Sequence, residues 1–142
     1  MMKILLPVDG SDCARRAAEN LVTLARELRE APEVHLLHVH PPIPIGLVQA
    51  HVSPETIQRH YREESEAEML AVRQSLEAAD VTFQAHIHVG DAAPVIVKLA
   101  GELGCNLILM GTHGRGVIGN AMLGSVAAKV AHLAPCAVQL VK

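Results

Sequence analysis

Aromatic side chains are nearly absent from this chain: its 142 residues include one Tyr, one Phe and no Trp. A core must therefore be aliphatic, built from Val, Leu, Ile and Ala, and no aromatic platforms exist on which single-stranded nucleic acid could stack. There is no basic run, and the formal net charge is −3, which argues against a nucleic-acid or anionic-membrane surface. No segment approaches the roughly 18 apolar residues of a membrane helix. Met1-Met2-Lys3 leads directly into a strand pattern, so no signal peptide is expected, and the chain reads as cytoplasmic. Cysteine is scarce: Cys13, Cys105 and Cys136 contain no Cys-x-x-Cys pair, so neither a zinc site nor a disulfide framework is indicated, and each is expected to act as a small apolar residue. No Gly-Lys-Ser/Thr triplet occurs, which excludes a Walker-type loop.

What is present is an alternation of strand and helix patterns over a length that suits one domain spanning residues 1–142. Half the residues are apolar. Lys3–Val8 is a short aliphatic run that suits a strand buried on both faces. Ser11 is placed to cap a helix whose apolar positions Ala14, Ala17, Ala18, Leu21, Ala25 and Leu28 follow helical spacing. Glu33–His40 is the second strand, ended by Pro41-Pro42 and a long proline-containing loop to residue 52. Ser53-Pro54-Glu55 opens a helix to about Ala78, with Pro at its first position, and its middle, Arg62 to Glu68, reads as a solvated face. Val81–Val89, Asn106–Met110 and Cys136–Val141 are strands. Asp91 is placed to cap a helix to about Glu102, and Ser125–Leu133 is the last helix. Such alternation implies an α/β domain, a parallel sheet with helices on both faces.

The densest signal is Met110-Gly111-Thr112-His113-Gly114-Arg115-Gly116-Val117-Ile118-Gly119-Asn120-Ala121-Met122-Leu123-Gly124-Ser125-Val126. A buried strand runs into a glycine-rich loop that ends at a helix start. Glycine permits positive φ and close backbone approach, and the first helical N–H groups favour negative charge. The combination is a phosphate cradle. Gly114-x-Gly116-x-x-Gly119 formally matches a dinucleotide fingerprint, but it follows the fourth strand and lacks the acidic residue about 20 positions on. The other spacing is Gly111, two residues, Gly114, nine residues, Gly124-Ser125. With Leu5-Leu6-Pro7-Val8-Asp9-Gly10-Ser11, Leu37-His38-Val39 and Gly90-Asp91, that pattern resembles the ATP-binding type of the universal stress protein family over nearly the whole chain.

The resemblance implies a Rossmann-like, doubly wound five-stranded parallel sheet in the order 3-2-1-4-5. Ligands in such sheets bind where the order reverses, at the carboxyl ends of the strands. It implies an adenine-nucleotide site made by Pro7, Val8, Asp9, Val39, Met110, Gly111, His113, Gly114, Arg115, Gly116, Gly124, Ser125 and Val126. Val39 would lend its peptide groups to adenine, Asp9 would serve ribose, Gly111 would let the chain pass near ribose, and Gly124-Ser125 would receive phosphate. The ligand would be ATP, ADP or AMP, with Mg²⁺ or Mn²⁺ bridging phosphates. A homodimer would form through the last strand, residues 136–141. Ala127 stands where many ATP-binding members carry a hydroxyl, so a donor to the outer phosphate is lost.

Bland alternatives accompany these assignments. Asp9 could be a turn residue, Ser125 a helix cap, and the glycines a surface loop. His38 and His40 share one strand face, as do His86 and His88; if the strands pair, four imidazoles could converge, a set that suits zinc, copper or nickel. No ligand-spaced carboxylate or thiol joins them, so no metal site is assigned. No base-and-orienter arrangement for catalysis is legible. The function expected is a nucleotide-binding regulatory or stress-response protein; the alternatives are a slow ATP hydrolase and a nucleotide-free interaction module.

Overall fold

The computed structural model describes residues 1–44, 46, 52–114 and 122–142. In chain order the elements are β1 (Lys3–Pro7), α1 (Asp12–Glu27), β2 (Glu33–His40), α2 (Pro54–Ala78), β3 (Phe83–Val89), α3 (Ala92–Leu103), β4 (Leu107–Gly111), α4 (Ser125–Leu133) and β5 (Ala137–Val141). All strand pairs are parallel, and the sheet order is β3-β2-β1-β4-β5, the order implied above.

The aliphatic runs occupy the middle of that sheet because only there are both faces covered. Ile4, Leu6, Val34, Leu36 and Leu109 pack under α1 and α2. Leu5, Leu37, Ile108 and Met110 point the other way, toward α3 and α4. The edge strands β3 and β5 are only partly buried. Three alanines on α1, Ala14, Ala17 and Ala18, are buried to 4% exposure or less, which lets that helix lie close to the sheet.

Helix starts follow the side chains that can hold them. The Ser11 hydroxyl accepts the Ala14 N–H at 3.2 Å, and Ser53 does the same for Thr56 at 3.2 Å, each satisfying a first-turn donor. Asp91 sits at the N-cap of α3 but makes no side-chain capping hydrogen bond. At α4 the cap is Gly124, so Ser125 is the first helical residue. Strand β3 starts at Phe83, later than expected, because the Val81 N–H turns back to the Leu76 carbonyl at 2.9 Å and closes the end of α2.

The histidines separate by register. His38 lies beside Ile87 and His40 beside Val89, while His86 lies beside Leu37 and His88 beside Val39. Residues side by side in parallel strands share a face, so the two pairs occupy opposite faces and the four rings do not converge. His86 Nε2 instead meets His35 Nδ1 at 2.9 Å, and His35 Nε2 meets Glu33 Oε1 at 2.8 Å. The His35 hydrogen bond holds the Glu33 carboxyl below its ordinary range, and burial, aided by His35 and His88, lowers His86. Among the described residues no three His, Cys, Asp or Glu side chains form a group that could hold a metal ion. All three cysteines are free, and Cys105 is buried while Cys13 and Cys136 are partly so; burial pushes the Cys105 and Cys136 thiols up. No helix among the described residues is long and apolar enough to cross a membrane.

Candidate functional site

The carboxyl ends of β1, β2 and β4 open into a cleft of about 470 Å³, at the point where the sheet order reverses between β1 and β4. Eleven of the thirteen expected site residues line it: Pro7, Val8, Asp9, Val39, Met110, Gly111, His113, Gly114, Gly124, Ser125 and Val126. Arg115 and Gly116 lie outside the described residues, as does Gly119 of the dinucleotide-like spacing.

At the end of β1, the two carboxylate oxygens of Asp9 do different things. Oδ1 accepts the Ser11 N–H at 3.0 Å, which is the turn role. Oδ2 lies 2.6 Å from where a Cβ of Gly114 would be, so the same side chain abuts the glycine loop. Gly10 follows with φ +78°, and the Glu68 carboxylate from α2 reaches into the space its side chain would fill, 1.7 Å from the Cβ position. Only glycine meets both demands without cost.

The end of β2 presents backbone rather than side chain. The Leu37 carbonyl accepts the Val8 N–H at 2.8 Å, which orients Leu37's peptide groups toward β1. Peptide groups in a strand repeat direction every second residue, so those of Val39 turn the same way. There β1 has already ended, and they face the cleft. His38 and His40 turn theirs toward β3, where the His40 carbonyl accepts the Gly90 N–H at 2.9 Å.

The glycine loop is closed at its base. Thr112 N–H donates to the Val141 carbonyl at 2.9 Å, and Gly124 N–H donates to the Thr112 carbonyl at 2.8 Å. His113 reinforces the closure, with Nδ1 2.9 Å from the Thr112 hydroxyl and Nε2 bonded to the Met122 carbonyl. His113 thus lines the cleft with both ring nitrogens already engaged. The N–H groups of Ser125, Val126 and Ala127 lead α4 into the cleft beside this closure.

None of the described loop glycines, Gly111, Gly114 or Gly124, has positive φ; what they supply is room. A Cβ at Gly111 would lie 2.6 Å from Cys13 Cβ, so the missing side chain lets β4 approach the first turn of α1 closely. A Cβ at Gly124 would lie 2.9 Å from the Thr112 carbonyl oxygen and 3.3 Å from His113 Cα. Substitution there strikes the loop's own backbone.

Sequence reasoning missed one wall. His38, His40, Glu64 and Glu68 also line the cleft. The buried positions Tyr61, Ser65, Met69, Val72 and Leu76 mark the inward stripe of α2, and Glu64 and Glu68 flank it. That 3–4 spacing was the available signal. Arg62, Glu63, Glu64 and Glu66 are exposed as expected, Glu64 at the rim of the cleft, but the solvated-face reading fails at Ser65, which is buried, and in part at Glu68, which is half-buried. His40, 8% exposed, contacts Glu64 Oε2 through Nε2, and His60 Nε2 lies 3.2 Å from Glu64 Oε1. The His40 hydrogen bond holds the Glu64 carboxyl below its ordinary range. No Lys or Arg is among the described residues of the lining.

The family model described as the universal stress protein family matches residues 1–142. Universal stress protein MJ0531 of Methanocaldococcus jannaschii is 33% identical over 140 residues, covering 99% of this chain and 81% of its own. A universal stress protein of Thermus aquaticus is 34% identical over 140 residues, 98% of this chain and 97% of its own. Among solved structures, that of MJ0577 of Methanocaldococcus jannaschii superposes with a TM-score of 0.84 at 30% identity, over 99% of this chain and 95% of its own. The fold recurs in the Archaeoglobus fulgidus universal stress protein in complex with dAMP, with a TM-score of 0.71, 24% identity and coverage of 100% and 98%. It recurs again in an Arabidopsis thaliana family protein with AMP bound, with a TM-score of 0.67, 22% identity and coverage of 100% and 92%. The chain belongs to the universal stress protein family.

Proposed function

We propose that the cleft binds ATP or a related adenine nucleotide, and that the protein acts as a cytoplasmic, nucleotide-binding regulatory module of the stress response. One observation carries the reading: a helix N-terminus behind a glycine loop and an inward-facing peptide edge at Val39 share one cleft at the sheet's reversal point. The helix end suits phosphate. A peptide N–H and C=O side by side suit the adenine edge, which offers a donor and an acceptor. The complexes of two structural neighbours with dAMP and AMP support the same ligand class.

A divalent ion fits the electrostatics. Asp9 and Glu68 line the cleft together with Glu64, whose carboxylate is already paired with His40 and His60, and a nucleotide phosphate would bring further negative charge to Asp9's end of it. Two like charges about 8 Å apart cost about 2 kcal/mol at an effective dielectric of about 20, whereas a helix terminus contributes about 0.3–1 kcal/mol. Mg²⁺ or Mn²⁺ would offset the difference. Mg²⁺ is ordinarily held by phosphate oxygens, water and one or two carboxylates, and Asp9 is the carboxylate beside the glycine loop.

The same reading includes a homodimer through β5, an edge strand whose interior holds neither proline nor charge. Amide chemical-shift mapping with AMP tests the site. Shifts should concentrate at Val39, Gly111, Gly114 and Gly124 to Val126; shifts confined to another surface would move the ligand elsewhere.

A further inference from the structure

His40 is the last residue of β2, directly after the peptide assigned to adenine. Its Nδ1 lies 2.6 Å from the Pro41 carbonyl oxygen, and its Nε2 contacts Glu64 Oε2. A carbonyl only accepts, and so does an ionised carboxylate. A neutral imidazole has one N–H and cannot serve both oxygens. The pair therefore holds one proton more than a neutral ring beside a carboxylate. The His40 hydrogen bond holds the Glu64 carboxyl below its ordinary range, and with that carboxyl as acceptor the geometry puts an N–H on each ring nitrogen.

The surroundings are largely polar. From α2, Tyr61 meets the ring edge-on at a centroid distance of 4.9 Å and His60 lies at 6.3 Å, and from β2 itself His38 lies at 6.2 Å. Asp9 and Glu68 line the same cleft. From β3 the neighbours are Val89 and Gly90, which carry no side-chain charge. A second stitch lies just beyond, where the Ile43 N–H donates to the Tyr61 hydroxyl at 2.9 Å. The segment after β2 is thus tied to α2 at two points, and one of them needs a titratable proton.

We propose that His40 and Glu64 form a proton-linked clamp that positions the end of β2, so that adenine nucleotide is held more tightly when the pair carries its extra proton. The inference rests on the nucleotide reading of the cleft. When the ring loses one proton, a lone pair faces either the Pro41 carbonyl or the Glu64 carboxylate, and one of those contacts must open. The peptide edge at Val39 then loses a neighbour that fixed its direction, and α2 loses one tie to the strand. His40 and Glu64 are positioning residues: neither is assigned a contact with the nucleotide.

Glu64→Gln, made in a His60→Gln background that serves as the parent because His60 also pairs with the Glu64 carboxylate at 3.2 Å, separates this device from the other groups that titrate. The Gln amide can donate to a neutral Nε2 while Nδ1–H keeps the Pro41 carbonyl, so the variant forms the clamp without an extra proton. The phosphate of AMP also titrates near pH 6, and His113 and His38 are common to both proteins, so the ratio of parent to variant affinity removes their contributions. Calorimetric titration with AMP between about pH 6 and about pH 8.5 spans the imidazole range. The parent affinity should fall by about fivefold or more relative to Glu64→Gln, the worth of one net hydrogen bond. A ratio that stays constant across the range overturns the clamp. If neither protein binds AMP, the nucleotide reading fails, and nitrogen-15 spectra of the parent's ring decide the clamp by themselves. Two protonated ring nitrogens on His40 at about pH 7.5, where an ordinary imidazole is mostly neutral, support the proton site, and a single neutral tautomer there overturns it.

Discussion

Gly124 is where fold and proposed binding meet most tightly, and a methyl group is enough to test the account. In Gly124→Ala the new Cβ would sit 2.9 Å from the Thr112 carbonyl oxygen, 3.3 Å from His113 Cα and 3.8 Å from Gly114 N. All three are backbone atoms, so no rotamer change relieves the contact. The same residue donates its N–H to that carbonyl at 2.8 Å, and moving the chain apart weakens the bond that closes the loop. Overpacking of this kind costs about 1–3 kcal/mol, and loss of a hydrogen bond adds about 0.5–1.5 kcal/mol. A chain of this size loses about 3–5 °C in Tm per kcal/mol. Urea and thermal unfolding should therefore show Gly124→Ala less stable by about 1.5–4.5 kcal/mol, with Gly124→Val worse. Ser125→Ala is the comparison. Ser125 is exposed, so its stability should stay within about 0.5 kcal/mol of the parent while AMP affinity falls. A Gly124→Ala protein as stable as the parent would refute the packing argument. A Ser125→Ala protein with unchanged AMP affinity would remove the hydroxyl from the phosphate site.

Other positions give independent tests. At Gly10 the φ of +78° and the Glu68 carboxylate both oppose a side chain, but a carboxylate can swing aside, so backbone strain of about 1–2 kcal/mol should dominate. Gly10→Ala should lose that much in urea unfolding, Gly10→Asn clearly less because Asn tolerates the left-handed region, and adding Glu68→Ala should not rescue the alanine variant. Val138→Pro should turn a dimer into a monomer by light scattering, since it removes a donor from edge strand β5; a monomeric parent at micromolar concentration would exclude that interface. For Glu33 the sign is that of a depressed carboxyl, so its contribution is present above the ordinary value of 4.5 and lost as pH falls through the lower folded value. Glu33→Gln should accordingly flatten the loss of stability on acidification, and an unchanged slope would contradict the assignment.

The parts of the molecule legible in sequence were those fixed by local chemistry. Strands β1, β2 and β4 declared themselves as short aliphatic runs because both faces are covered. Ser11 and Ser53 marked helix starts because a hydroxyl before the first turn has an N–H to accept. Half of the described cleft lining, eleven of 22 residues, was legible because strand ends and a glycine loop sit in recognisable succession. Strand order came from the family resemblance, since nothing in an aliphatic run names its neighbour. Register was hidden altogether: an offset of one residue between β2 and β3 decides whether His38 and His40 meet His86 and His88, and they do not. The glycines of the loop were recognised, but for conformational freedom rather than for the backbone contacts at Gly111 and Gly124 that exclude a Cβ. The part that Glu64 and Glu68 play in the cleft wall was hidden because a helical flank and a helical outer face differ by one residue: Glu64 is exposed and still borders the cleft.

The central claim is that this cleft holds an adenine nucleotide, and calorimetry tests it most directly. Nucleotide-stripped protein is titrated with ATP, ADP, AMP, cyclic AMP and GTP, each with and without Mg²⁺. The account predicts saturable binding of adenine nucleotides, tighter for ATP when Mg²⁺ is present, and markedly weaker binding of GTP, whose base presents a different donor and acceptor edge to Val39. Binding of GTP as tight as that of ATP would contradict adenine readout, and no binding of any nucleotide would leave an interaction module in its place.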